Sequence, residues 1–188
     1  MQKYDVVLLI DASLSEINRK EVVSEFEKLI KKNIVDQDDM GLQQLAYNLS
    51  NKAWNDKAYV YSYYIDAEAE DLDMLKKNVL YNKAIKRYFI FKINKTDEFV
   101  KFAKINDELK NIIEAWDVKK LWQKVSFFSD KKNEKYLNRK SVMMLKKYIT
   151  RFWDIKPREY THNSVSTQKK LKTVILRARE LGFLPYKK

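Results

Sequence analysis

Apolar residues recur along this chain first at strand spacing and then only at helical spacing. Tyr4 to Ile10 is rich in β-branched and aliphatic residues and continuous enough for a buried strand. Ser15 stands where a helix N-cap would, and Val22, Val23, Phe26, Leu29 and Ile30 recur at helical spacing up to Asn33, a residue suited to a C-cap. Leu45, Tyr47 and Leu49 then alternate with Ala46 and Asn48. A turn-like stretch from Asn51 to Lys57 follows, and Tyr59, Tyr61 and Tyr63 alternate with Val60, Ser62 and Tyr64, so two antiparallel strands are predicted. Beyond Asp66, Leu72, Leu75 and Val79 predict a second helix with acidic residues in its first turn, and Tyr88 to Ile93 predict a closing strand. The order βαββαβ implies an α+β fold, a ferredoxin-like sandwich with one four-stranded antiparallel sheet and two helices on one face.

After Lys92 the strand period ends. Phe102, Ile105, Leu109, Ile112, Ile113 and Trp116 fall on one helical stripe, and Val118, Leu121, Trp122 and Val125 on a shorter second one. Ser126 to Asn138 has no period and is expected to be loop. Val142, Leu145, Tyr148, Ile149 and Phe152 predict another amphipathic helix, which Pro157 cannot continue. Ser164 is placed to cap a last helix in which Leu171, Val174, Ile175, Ala178 and Leu181 share one direction, while Lys169, Lys170, Lys172, Arg177 and Arg179 are expected on the opposite side. The expected organisation is a ferredoxin-like domain over 1–95, a helical connector over 96–130 and a small basic helical domain over 131–188.

Composition sharpens this picture. Of the 188 residues 45% are hydrophobic, enough for folded cores. The formal net charge of +12 is almost wholly C-terminal: residues 1–100 sum to −2 and residues 101–188 to +14. A cationic half gains by neutralising phosphates and releasing their counterions, so a nucleic acid is the natural partner; an anionic membrane surface satisfies the same charge. With no cysteine, disulfides, thiolate nucleophiles and Cys-based zinc or iron–sulfur sites are excluded. His162 is the single histidine, there is no P-loop or Gly-rich phosphate cradle, and nothing near Ser164 supplies an orienting base. Asp38 and Asp39 before Gly41 read as a turn or a β-bulge at a strand end rather than a metal site. A non-enzymatic protein without metal or cofactor is expected. The N-terminal run Val6 to Ile10 is far too short to span a bilayer and lacks signal-peptide features, so a soluble cytoplasmic protein is expected.

Several residues carry a resemblance. Gly41 followed by Leu45-Ala46-Tyr47, the strand start at Ala58-Tyr59 and the closing Arg87-Tyr88-Phe89-Ile90 resemble the family of the sixth protein of the bacterial small ribosomal subunit, over roughly the first hundred residues. Ile155, Pro157, Arg158, Thr161, Gln168, Lys169, Leu171, Ile175, Arg177-Ala178-Arg179 and Leu184-Pro185-Tyr186 fall without gaps on the pattern of the eighteenth protein of that subunit. The resemblance implies a fusion of two proteins that pair with each other and bind the central domain of small-subunit ribosomal RNA. It further implies neighbouring small-subunit proteins as partners, and two modules that pack on each other in cis.

The chain also departs from the second pattern. Trp153 and His162 stand where that family usually has Gly, Asp154 where it has Lys, and Glu159 where it has a second Arg. These changes lower the positive charge of the loop from Trp153 to Asn163, which is therefore expected to touch RNA less than in relatives. The cysteines of some members are replaced around Ser126 to Ser129, which removes a zinc role.

Charge and resemblance together assign RNA binding to Arg158, Thr161, Gln168, Lys169, Lys170, Lys172, Arg177, Arg179, Lys187 and Lys188. Residues 131–188 carry 17 Lys/Arg against 4 Asp/Glu, so no acidic stripe of the segment neutralises the row. The arginines suit bidentate phosphate contacts and the lysines supply point charge. Gln168 is equally suited to ribose or to an ordinary first-turn position. Tyr59, Tyr61 and Tyr63 form an aromatic row, but without the basic residue and Gly of base-stacking sheets, core or partner packing is expected. A structural constituent of the small ribosomal subunit is the leading expectation. A free-standing RNA-binding or ribosome-assembly factor, and an interaction adaptor with a basic helix, are the alternatives.

Overall fold

A computed structural model describes residues 2–48, 56–93, 99–120 and 126–187, with backbone alone at 69 and 114–120. It divides into two compact units, Met1–Phe99 and Val100–Lys188.

The first unit runs β1 (Gln2–Asp11), α1 (Glu16–Ile30), β2 (Ile34–Gln44), β3 (Lys57–Ala67), α2 (Ala69–Tyr81) and β4 (Ile85–Lys92). The strands form one antiparallel sheet in the order β2-β3-β1-β4, the expected ferredoxin-like sandwich. Central β1 is buried from Asp5 to Ile10, and its alternation splits those residues between the two faces. Val6 and Leu8 meet Phe26 and Ile30 of α1 and Leu72, Leu75 and Val79 of α2, while Val7 and Leu9 lie on the other face with buried Val60 and Ser62 of β3. On that second face the Ser62 hydroxyl donates to Asp5 Oδ1 at 2.8 Å, so the buried carboxylate has a partner. Ser15 caps α1 as expected, accepting from the Asn18 amide at 3.3 Å.

The second strand is displaced from its expected place. Leu45 to Asn48 form no strand, and Leu49 lies outside the described residues; pairing with β3 is made instead by Ile34–Gln44. That segment lies at the sheet edge and carries three aspartates and three glutamines, so its apolar alternation is too sparse to show. It also contains an extra residue. Asp39 pairs with Tyr61 and Leu42 with Tyr59, so three steps on β2 match two on β3, a bulge within the strand rather than at its end. Gly41 takes φ 68° there, and its amide donates to Asp39 Oδ1 at 2.8 Å. Two smaller differences occur at the end of α1. Leu29 is exposed, and the cap falls at Lys31, while Asn33 instead bonds its side-chain amide to Asp71 Oδ2 at 3.2 Å.

The second unit contains α3 (Phe102–Lys120), two short 3-10 turns (Phe127–Ser129 and Lys131–Tyr136), α4 (Val142–Lys147), α5 (Arg158–Thr161) and α6 (Val165–Glu180). The stretch expected as a connector supplies α3, which buries Ile105, Leu109 and Ile113 in this unit and packs on α4. The shorter stripe through Val118, Leu121, Trp122 and Val125 lies outside the residues whose side chains are described. The segment expected as a loop supplies Phe127, Phe128 and Tyr136 to a ring cluster completed by Tyr148, with neighbouring centroids 5.2–6.2 Å apart. The helix expected to reach Phe152 stops at Lys147. Tyr148 and Ile149 are still buried, but Ile149 forms an antiparallel bridge with Ile155, and Phe152 turns out to solvent.

Gly41→Ala tests the bulge. A Cβ there meets nothing within 4 Å, so only the left-handed backbone resists it. The expected loss is about 1 kcal/mol in urea unfolding with an unchanged slope, and a smaller loss for Gly41→Asn.

Candidate nucleic-acid interface

Helix α6 starts at Ser164, whose hydroxyl oxygen accepts from the Thr167 amide at 3.1 Å. Its apolar side places Leu171, Ile175 and Ala178 in the interior, with Leu181, Phe183 and Leu184 buried just beyond. Lys169, Lys170 and Lys172 are exposed, as the helical pattern implies. Arg179 is not. It follows Ile175 by four residues, hence lies only ~40° from it around the helix, and it is buried with Nη2 donating to the Trp153 carbonyl. Arg177 lies ~160° from Arg179 and is half-buried, so the two arginines never share a face.

Thr161 and Gln168 are engaged internally as well. Gln168 Nε2 donates to the Lys156 carbonyl at 2.8 Å, and Gln168 Oε1 accepts from Thr161 Oγ1 and from Asn163 Nδ2, both at 3.0 Å. The one hydroxyl proton of Thr161 is thereby directed to Gln168 in preference to the Arg158 carbonyl 3.5 Å away. Asn163, almost fully buried, also accepts from the Ser126 hydroxyl, and its carbonyl accepts from Arg158 Nε at 3.1 Å. One amide pair therefore locks the segment before α6 onto its first turn. Arg158 projects from this lock, exposed, with its guanidinium plane set by the bond to Asn163.

Ion pairs further sort the cations. Lys170 meets Glu134 at 2.6 Å and Lys187 meets Asp154 at 3.0 Å. Lys135 bonds Glu108 of α3 at 2.7 Å; that bond, then the Tyr136 hydroxyl, holds the Glu108 carboxyl below the ordinary glutamate range. Lys188 lies outside the described residues. The tyrosine row of β3 faces the helix layer. Tyr63 packs 5.1 Å from Phe26, and the Arg19 guanidinium covers Tyr59 at 3.7 Å, which removes both rings from base stacking.

Among the described residues, buried polar side chains that the sequence did not mark include Asn163, Arg139 and Lys140, the last with Nζ donating to the Val100 carbonyl at 3.1 Å. No residue-type pattern distinguishes them from surface neighbours.

Residues 3–92 match the ribosomal protein S6 family and residues 133–184 the ribosomal protein S18 family. Small ribosomal subunit protein bS18 of Mycoplasma capricolum subsp. capricolum is 44% identical over 64 residues, 34% of this chain and 84% of that protein. The bS18 of Mycoplasma mycoides subsp. mycoides is 42% identical with the same coverage. A crystal structure of 30S ribosomal protein S6 from Thermotoga maritima aligns over 49% of this chain and 87% of that one, with a TM-score of 0.45 and 19% identity. Sheet topology, cationic helix and family matches together define a ribosomal protein of the small subunit. More particularly, the chain belongs to the ribosomal protein S18 family through its second unit and carries an S6 part ahead of it, a fusion of the two. Among the described residues no helix is long and apolar enough to cross a membrane.

Two substitutions separate scaffold from contact. Gln168→Ala leaves several polar groups without partners and is expected to cost at least about 1 kcal/mol in urea unfolding; an unchanged midpoint would return Gln168 to the contact surface. His162 holds φ 54° at the end of α5 with its ring exposed. His162→Gly is therefore expected to raise the midpoint, by up to about 1 kcal/mol, and a drop would show that its ring is held by more than the backbone.

Proposed function

We propose that this structural protein of the small ribosomal subunit binds the central domain of small-subunit ribosomal RNA through its second unit, with the first unit as a docking platform for neighbouring subunit proteins. The observation that carries the reading is the sorting of charge on α6. Its apolar side and the Gln168–Asn163 lock hold the helix rigidly, while Lys169 and Lys172 stand exposed three residues apart, ~60° around the axis, where one phosphate run can meet both. Arg158 adds an oriented guanidinium on the segment ahead of α6, suited to a bidentate phosphate contact. Lys170 and Lys187 already have carboxylate partners, but such exposed pairs are worth little and yield to phosphate at small cost. Covalent joining of the two parts holds them at an effective concentration of order mM, so the pair survives dilution.

Purified small subunits are expected to contain the intact chain at one copy each. In RNA titrations across a salt series, Lys169→Gln with Lys172→Gln should weaken binding and flatten the log–log slope by up to ~0.9 per lost phosphate contact. Arg179→Gln should act first on stability. A salt slope that ignores the lysine pair and follows Arg179 would overturn the assignment.

A further inference from the structure

Between the bridged residues Ile149 and Ile155 the chain makes a tight turn that is fixed from several sides. The Trp153 amide donates to the Thr150 carbonyl at 3.0 Å and the Thr150 amide to the Asp154 carbonyl at 2.7 Å. The Asp154 amide donates to Thr150 Oγ1 at 3.1 Å, and Arg179 reaches from α6 to the Trp153 carbonyl. A turn so heavily bonded does not adapt to its contents, so what it displays is set by the fold.

It displays aromatic surface. Phe152 at the tip is 71% exposed and Trp153 36%. Trp153 holds φ 67°, a conformation that Cβ makes unfavourable for every residue but glycine, and most of all for a bulky one. A strained, exposed aromatic pair that burial does not explain points to use. Cations border it: the Arg151 guanidinium lies 5.7 Å from the Phe152 ring centroid, and Lys187 sits on Asp154 at the other end of the turn. An apolar protein partner would have to desolvate these charges within a segment of 17 Lys/Arg and 4 Asp/Glu. An unpaired nucleotide meets both features at once, since its base stacks on the ring while its phosphate lies by the guanidinium.

We infer that Phe152, held at the tip of this fixed turn beside Arg151, is a stacking platform for one unpaired RNA base. The inference rests on the second unit being an RNA-binding module and adds to it a base contact that charge alone does not supply.

The test uses the intact chain and two single-stranded probes with equal phosphate number, an oligoadenylate RNA and its abasic counterpart. Phe152→Leu keeps apolar bulk and removes the π face at an exposed position. It is expected to weaken oligoadenylate binding about fivefold or more, to leave abasic binding and the salt slope unchanged, and to be rescued by Phe152→Tyr. Equal loss on both probes, or no loss on either, overturns the platform while leaving phosphate binding intact. Failure of the unsubstituted chain to bind either probe would overturn the RNA reading itself, and the platform with it.

Discussion

A segment with 17 cations and 4 carboxylates must stay compact against its own repulsion, and the whole second unit is arranged around that constraint. Two devices meet it. The apolar side of α6 gives the segment an interior, and the side-chain amides of Gln168 and Asn163 bind the preceding loop to the helix without using any charge. Neutral amides suit this task because each offers donors and acceptors together, so a bond network closes without adding to the repulsion.

The same constraint explains why cations close in sequence have different fates. Lys140, Arg139 and Arg179 are drawn inside, where backbone carbonyls such as those of Val100 and Trp153 accept from Lys140 and Arg179. Lys135, Lys170 and Lys187 are matched with scarce carboxylates. Among the cations that remain exposed, Lys169, Lys172 and Arg158 stand on the frame that the Gln168–Asn163 bonds fix and are preorganised for an outside anion, which lowers the ordering cost of binding. Counting charge along the loop from Trp153 to Asn163 gives an expectation of little RNA contact there, while Phe152, just ahead of that loop, stands exposed on its turn.

The first unit solves a milder problem. Its sheet buries both faces of β1, and its tyrosines serve the helix layer, with Tyr63 against Phe26 and Tyr59 beneath Arg19. A base-stacking sheet turns its aromatics outward, and here the register turns them in.

Much of this was legible in the chain before any coordinates. The βαββαβ order, the Ser15 and Ser164 caps and the core side of α6 followed from local period and residue type, because burial of one face imposes its spacing on the sequence, while the two families were legible as a resemblance of short motifs. Strand β2 was not legible, since an edge strand with a bulge needs few apolar residues. Nor were the roles of Gln168, Thr161, Asn163 and Arg179. Their composition suits RNA contact and internal bonding equally, and only the folded chain brings Lys156, Thr161 and Asn163 to Gln168, or the Trp153 carbonyl to Arg179. Residue type and its period along the chain determined the fold class and the surplus of positive charge; tertiary structure decided which cations stay exposed and which are buried or paired, because hydrogen bonding depends on distance in space and leaves no period along the chain.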